Sequence, residues 1–82
     1  MSEQPVSKLE LYKVHITLSL RARFNGDNVE ETRQLETMDD LWYDMTSSER
    51  AAIVPWIGEY LRPHMETGGK MRSLPPEYTP NS

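Results

Sequence analysis

Few residues of this 82-residue chain could do chemistry, and none stands in a spacing that a known catalytic motif requires. The chain has no cysteine, its four glycines form no phosphate-binding pattern, and its two histidines, His15 and His64, are far apart. Asp39 and Asp40 are neighbours, so their carboxylates would diverge by about 100° on a helix. Asp40 and Asp44 lie one helical turn apart and could share an ion, but a solvated pair of acids is the commoner arrangement. The sequence therefore predicts a protein that is not an enzyme and holds no metal or cofactor.

Acidic residues are distributed very unevenly along the chain. The net charge is −4, yet residues 27–49 hold eight of the 13 acids and only one of the nine basic residues. A block of like charge repels nucleic acid and attracts basic protein surfaces, although many such blocks only keep a surface solvated. Imitation of a phosphate array is a narrower form of the same interpretation. The predicted partner-binding residues are Asp39, Asp40, Tyr43, Asp44, Glu30, Glu31 and Glu36.

Basic residues in the N-terminal third provide an alternative, nucleic-acid-binding function. Four of them would share one face of a strand and could contact phosphates. They are Lys13, His15, Arg21 and Arg23. That face would offer no aromatic side chain for base stacking, and acids of a neighbouring strand could neutralise it. A solvated sheet face with ion pairs across the strands is therefore preferred to a nucleic-acid interface.

The proline-rich tail, residues 70–82, contains a PPxY pattern formed by Pro75, Pro76 and Tyr78. Such a segment can adopt an extended polyproline helix, which domains with aromatic-lined grooves, such as WW domains, bind. The pattern fixes only three positions, so an unstructured tail that contains it by chance is the alternative interpretation. The sequence predicts a disordered or extended tail, with the docking motif as a hypothesis.

The elements that would position these residues begin with a strand. Residues 12–24, YKVHITLSLRARF, alternate apolar and polar side chains, which is typical of an antiparallel strand with one buried face. Residues 25–28, NGDN, predict a tight hairpin turn, and residues 29–37 would form the return strand. Because the return strand has few apolar residues, it would lie at a sheet edge.

Two helices are predicted after the hairpin. The first would begin at Thr37, which forms a variant capping box with Asp40. Its apolar stripe consists of Met38, Leu41, Trp42 and Met45. Thr46 and Glu49 form a full capping box for the second helix. Pro55 should kink this second helix or restart it.

Together these elements predict an α+β fold, with an N-terminal antiparallel β-hairpin packed by one or two C-terminal helices and a disordered proline-rich tail. Residues 1–7 would form a flexible arm, residues 8–69 a single domain and residues 70–82 the tail. A two-stranded sheet alone is marginal in water, and this favours a homodimer.

The predicted function is that of a small non-catalytic protein that occupies the basic surface of a partner protein, as an inhibitor or an accessory subunit does. The chain has neither an apolar run long enough to span a membrane nor the pattern of a signal peptide at its start. We therefore expect a soluble, cytoplasmic protein. In its small size and acidic surface the chain resembles phage-encoded proteins that block host proteins, without similarity to one particular family.

Overall fold

The structure is a computed structural model that describes residues 7–80. It contains three α-helices: α1 (Lys8–Phe24), α2 (Asn28–Asp44) and α3 (Ser47–Trp56). A five-residue π-helix, Ile57–Leu61, and a short 3-10 turn follow α3. No β-strand occurs in residues 7–80, so the predicted α+β class with an N-terminal β-hairpin is wrong. The domain is a small helical bundle.

Helix α1 covers the residues that alternate in the sequence. Tyr12, Ile16 and Leu20 pack together on the core, and because they are four residues apart they also share one face of a helix. The hydroxyl of Ser7 begins the helix by accepting a hydrogen bond from the backbone N–H of Glu10 at 3.2 Å. The predicted strand at residues 12–24 is wrong. In an alternating pattern, residues four apart are of the same type, and residues four apart also lie on one face of a helix.

Residues 25–27 reverse the chain between α1 and α2. Gly26 has a φ of 76°, a left-handed conformation that glycine adopts at low cost. Asp27 then begins α2, since its carboxylate accepts a hydrogen bond from the N–H of Glu30 at 3.1 Å. The chain reversal predicted from the NGDN sequence is present, but it joins two helices rather than two strands.

Helix α2 includes both the predicted return strand and the first predicted helix. Thr37, the predicted N-cap, lies within α2, and its hydroxyl donates to the backbone carbonyl of Arg33 at 3.2 Å. The predicted strand at residues 29–37 and the helix start at Thr37 are therefore wrong. The predicted apolar stripe is confirmed, because Met38, Leu41 and Met45 are buried.

Helix α3 begins as its sequence predicts. The hydroxyl of Thr46 accepts from the N–H of Glu49 at 3.1 Å, and the Glu49 carboxylate accepts from the N–H of Thr46 at 2.9 Å. This reciprocal pair is the predicted capping box. The helix continues past Pro55, which has no N–H to donate to the preceding turn, and then widens into the π-helix Ile57–Leu61.

Helices α1 and α2 lie antiparallel. Three side-chain contacts fix their alignment from the turn to the open end: Arg23 with Glu31 at 2.6 Å, His15 with Gln34 at 2.6 Å, and Lys8 with Asp44 at 3.8 Å. Since residues far apart in sequence meet in this order, the two helices form a hairpin.

The core lies where α1, α3 and the segment after α3 meet. Its buried members are Leu20, Ile53, Trp56 and Leu61. Apolar residues from every part of the described chain pack around them: Leu9, Tyr12, Ile16, Trp42, Ile57, Met65, Met71 and Tyr78. Residues 7–80 contain no marginal sheet that a second copy would need to stabilise, and self-association stays a prediction.

Residues 65–80 return along the bundle without forming a helix. Met65 and Met71 make a single antiparallel bridge, and the turn between them contains Gly68 and Gly69 with φ of 86° and 83°. Beyond this turn, residues 74–80 contain neither helix nor strand. Even so, this part of the chain is fixed to the bundle by specific side-chain contacts.

The described chain begins at the cap of α1. Of the predicted flexible arm, residues 1–7, only Ser7 lies within the described residues, where it caps α1. Among the helices of residues 7–80, none combines the length and the apolar character that crossing a membrane requires.

Candidate protein-binding surface

The outward surface of α2 brings together four of the predicted partner-binding residues. Glu36, Asp39, Asp40 and Tyr43 are spaced at i, i+3, i+4 and i+7, so the helix aligns them on one side. All four are exposed, and 80% of the surface of Tyr43 is accessible. We call these four residues the α2 acidic face. The arrangement depends on a continuous helix, since the predicted break at Thr37 would have separated Glu36 from the other three.

An apolar residue continues the α2 acidic face towards the start of the helix. Val29 lies two turns before Glu36 and is 72% exposed. Together with Asn28, Thr32 and Arg33 it lines a shallow depression that ends at Glu36. The outward surface of α2 therefore has apolar side chains at both ends and carboxylates between them. Sequence reasoning missed Val29 because it had assigned the residue to a strand.

The remaining predicted partner-binding residues have contacts inside the protein. Glu31 pairs with Arg23 of α1 at 2.6 Å. Glu30 accepts from the side-chain amide of Gln34 at 2.6 Å and lies 3.4 Å from the guanidinium of Arg33. These two acids align α1 with α2 and stabilise α2, so they are less available to a partner.

Asp44, the last residue of α2, occupies an intermediate position. It lies 3.8 Å from the ammonium of Lys8 at the open end of the helix pair, and both side chains remain largely exposed. An exposed ion pair at this distance contributes little to stability. A partner's cation could therefore compete with Lys8 for this carboxylate.

Arg50 of α3 stabilises the end of α2 that carries Tyr43. It donates to the backbone carbonyls of Trp42 at 2.8 Å and Tyr43 at 3.3 Å, and its guanidinium lies 5.6 Å from the centre of the Trp42 ring. The last turn of α2 contains no basic residue of its own, so Arg50 provides the positive charge that a helix C-terminus favours. No sequence pattern indicates this role, because the two partners come from different helices.

Asp39 also affects the aromatic residues beneath α2. Tyr12 of α1 and Trp42 have ring centres 5.7 Å apart. Burial raises the pKa of the Tyr12 hydroxyl, and the negative charge of Asp39 raises it further. The α2 acidic face thus borders the hydrophobic core on one side and solvent on the other.

The basic residues of the alternative interface no longer share a face. Residues 13, 15, 21 and 23 would point the same way along a strand, whereas on α1 they are spread around the helix axis. His15 and Arg23 turn towards α2, where they meet Gln34 and Glu31. Lys13 and Arg21 turn towards the tail. Because the strand is absent from the described residues, the continuous basic surface expected for nucleic-acid binding is absent as well.

The PPxY residues of the tail lie against α1 and α3. Pro75 is buried, Pro76 is exposed and Tyr78 is half-buried. The Tyr78 ring meets the Trp56 ring edge-on, with 5.3 Å between their centres. Within the described residues, the motif therefore packs on the protein's own helices.

Ligands for a metal are not grouped in residues 7–80, where no three His, Asp or Glu side chains come close enough to hold an ion. The two histidines are engaged separately, His15 with Gln34 and His64 with the hydroxyl of Ser73 at 2.8 Å. No protein-family model matches this chain, and no curated protein or solved structure is significantly similar to it.

Proposed function

We propose that this protein is a non-catalytic binding module that occupies the basic surface of a partner protein through the α2 acidic face. The observation that supports the proposal most is the alignment of Glu36, Asp39 and Asp40 with the 80%-exposed ring of Tyr43 on one rigid helix. Such a protein would act as an inhibitor or an accessory subunit, because binding alone hides the partner's surface.

Tyrosine and carboxylates have different roles in such a contact. Tyr43 offers a large, rigid side chain with a polar tip, the kind of residue that often dominates the binding energy of an interface. The carboxylates steer a basic partner to the surface and determine its orientation. Because α2 is already folded, little ordering entropy opposes binding.

Exposed acids in this arrangement also cost the isolated protein some stability. Within residues 7–80, Glu36 and Asp40 have no cation within ion-pair distance, and they lie one turn apart. Like charges four residues apart on a helix repel each other. A basic partner would relieve this repulsion, which gives the surface a preference for positive charge.

The first experiment is capture of partners from a lysate of the source cell with nuclease present, followed by quantitative binding of each purified candidate. Reversal of two charges, D39K/D40K, should weaken binding about tenfold, or about 1.4 kcal/mol, and flatten its salt dependence. Glu59 is an exposed acid in the π-helix, so E59K is the control and should bind like the wild type.

Binding that is unchanged in the D39K/D40K variant would exclude the α2 acidic face as the contact. A complex that forms only without nuclease would instead indicate nucleic acid. As a further check, Y43A should weaken binding while leaving the melting temperature unchanged, because the Tyr43 ring is 80% exposed.

A further inference from the structure

A set of residues on α1 and α3 holds the PPxY motif. Those on α1 lie on the side of the helix that faces away from α2. We call Glu10, Lys13 and Arg21 of α1, with Trp56 of α3, the tail seat. Pro75 is one of the most deeply buried residues of the protein, although proline-rich tails are usually solvated.

Aromatic and cationic contacts hold Tyr78 in the tail seat. The Tyr78 ring packs edge-on against Trp56, at 5.3 Å between ring centres. The ammonium of Lys13 lies 5.7 Å from the centre of the Tyr78 ring and 5.6 Å from that of Trp56. Lys13 itself is oriented by Glu10 at 3.1 Å.

Polar contacts fix the same segment at both ends. The hydroxyl of Tyr78 donates a hydrogen bond to the carboxylate of Glu10. Arg21 donates to the backbone carbonyl of Pro75, and its guanidinium lies 3.7 Å from the carboxylate of Glu77. The tail seat therefore contacts both the proline end and the tyrosine end of the motif.

We propose that Pro75–Tyr78 is a docking motif for a WW-type domain, and that the tail seat withholds it by binding the same residues within the chain. An aromatic-lined groove needs access to the proline and tyrosine side chains of its ligand. In the folded chain Pro75 is buried and Tyr78 is half-buried against Trp56, whereas Pro76 stays exposed. One tail cannot occupy both sites, so the chain offers the motif only in the fraction of molecules whose tail has left the bundle.

We expect release of the tail to leave the helices folded, as the helix content of the variants below will test. The tail seat holds residues 74–80 through a few side chains, and the ion pair of Arg21 with Glu77 is mostly exposed on the Glu77 side. The turn at Gly68 and Gly69 separates the tail from the helical part of the chain. This inference does not depend on the α2 acidic face, since the two surfaces share no residue.

The test compares three ligands for one probe, an isolated WW domain that binds PPxY peptides, by calorimetry or fluorescence anisotropy. The ligands are a synthetic peptide of residues 72–82, the intact chain, and the intact chain carrying R21A. The peptide should bind, and the intact chain should bind at least tenfold more weakly. The R21A chain should bind the probe at least threefold more tightly than the intact wild-type chain. This variant keeps the motif and removes a contact that holds Pro75.

A control variant and a measurement of helix content separate release from unfolding. R33A removes an exposed arginine of α2 that does not touch the tail, and it should bind the probe as weakly as the wild type. E10Q is a second release variant, because it weakens the acceptor of the Tyr78 hydroxyl. It should raise the affinity for the probe, as R21A does. The helix content of each variant is measured by circular dichroism, and only variants with wild-type helix content are compared.

Either part of the inference can fail on its own. A peptide of residues 72–82 that does not bind the probe would refute the docking motif. If the intact chain binds as tightly as the peptide, or if R21A and E10Q both bind like the wild type, the tail seat does not withhold the motif.

Discussion

Removal of one hydroxyl group, Y78F, tests whether the tail contributes to the stability of the fold. The substitution keeps the ring that packs on Trp56 and removes only the hydrogen bond to Glu10. A hydrogen bond to a charged group contributes about 1.5–3 kcal/mol to stability. Tyr78 is only half-buried, so water can replace part of that bond for Glu10. We therefore expect a loss of about 1 kcal/mol.

Thermal unfolding followed by circular dichroism at pH 7 measures this loss. For a domain of this size, 1 kcal/mol corresponds to a decrease in Tm of about 4–8 °C. The matched control is Y43F, which removes the same hydroxyl from a ring that is 80% exposed. Its effect should stay within about 0.5 kcal/mol. Equal melting temperatures for Y78F, Y43F and the wild type would show that the hydrogen bond of Tyr78 to Glu10 does not stabilise the fold, and would refute the reasoning.

Alkaline pH provides a second measurement of the same contact. The pKa of Tyr78 is raised to about 12, chiefly by burial and also by the hydrogen bond and the negative charge of Glu10. The raised pKa means that the neutral hydroxyl is the form that the folded state favours. This contribution is therefore complete below pH 10 and is lost as the pH rises towards about 12. The stability of the wild type should fall over this interval, and Y78F should lack this part of the decrease.

Three further predictions concern the bundle itself. I53A should cost about 3 kcal/mol in chemical denaturation because it leaves a cavity in the core, whereas V54A, its exposed neighbour, should cost less than about 0.5 kcal/mol. T46A should cost about 1 kcal/mol in the same assay because it removes the N-cap of α3, and T32A, in the interior of α2, should be close to neutral. The pKa of Glu49 is lowered, chiefly by its hydrogen bond from the backbone of Thr46, so its stabilising effect should disappear as the pH falls through that lowered value. E49Q should flatten this acid dependence, and an unchanged acid titration of stability would contradict the capping box.

Local signals were read correctly where a few neighbouring residues determine the structure. Thr46 and Glu49 form the predicted capping box because its two hydrogen bonds join residues three apart. Chain reversal at the NGDN sequence follows from the left-handed backbone that Gly26 allows. In both cases the interaction energy lies within one short segment, so the sequence is sufficient.

Periodicity was misleading where two patterns overlap. The residues from Tyr12 to Phe24 alternate, but the stripe of Tyr12, Ile16 and Leu20 fits a helix equally well. Helix α1 packs on α2 along one side and on α3 and the tail along another, so its polar and apolar residues are not cleanly separated. A helix with two buried sides loses the simple period that distinguishes it from a strand.

The candidate surfaces could also be predicted only in part from the sequence. Sequence alone identified the acids of residues 27–49, Tyr43 and the PPxY pattern, because composition and short motifs are properties of the chain. The choice among the acids needed the helix pair, which engages Glu30 and Glu31 internally and leaves the α2 acidic face exposed.

Sequence by itself determined the charge distribution, the start of α3 and the position of the first chain reversal. Tertiary structure decided that residues 12–24 form a helix, that the basic residues diverge, and that the tail is seated. Arg21 meets Pro75, and Glu10 meets Tyr78, across 54 and 68 residues of sequence. Contacts of this range depend on how the helices pack against each other, and packing is a property of the assembled bundle rather than of any local segment.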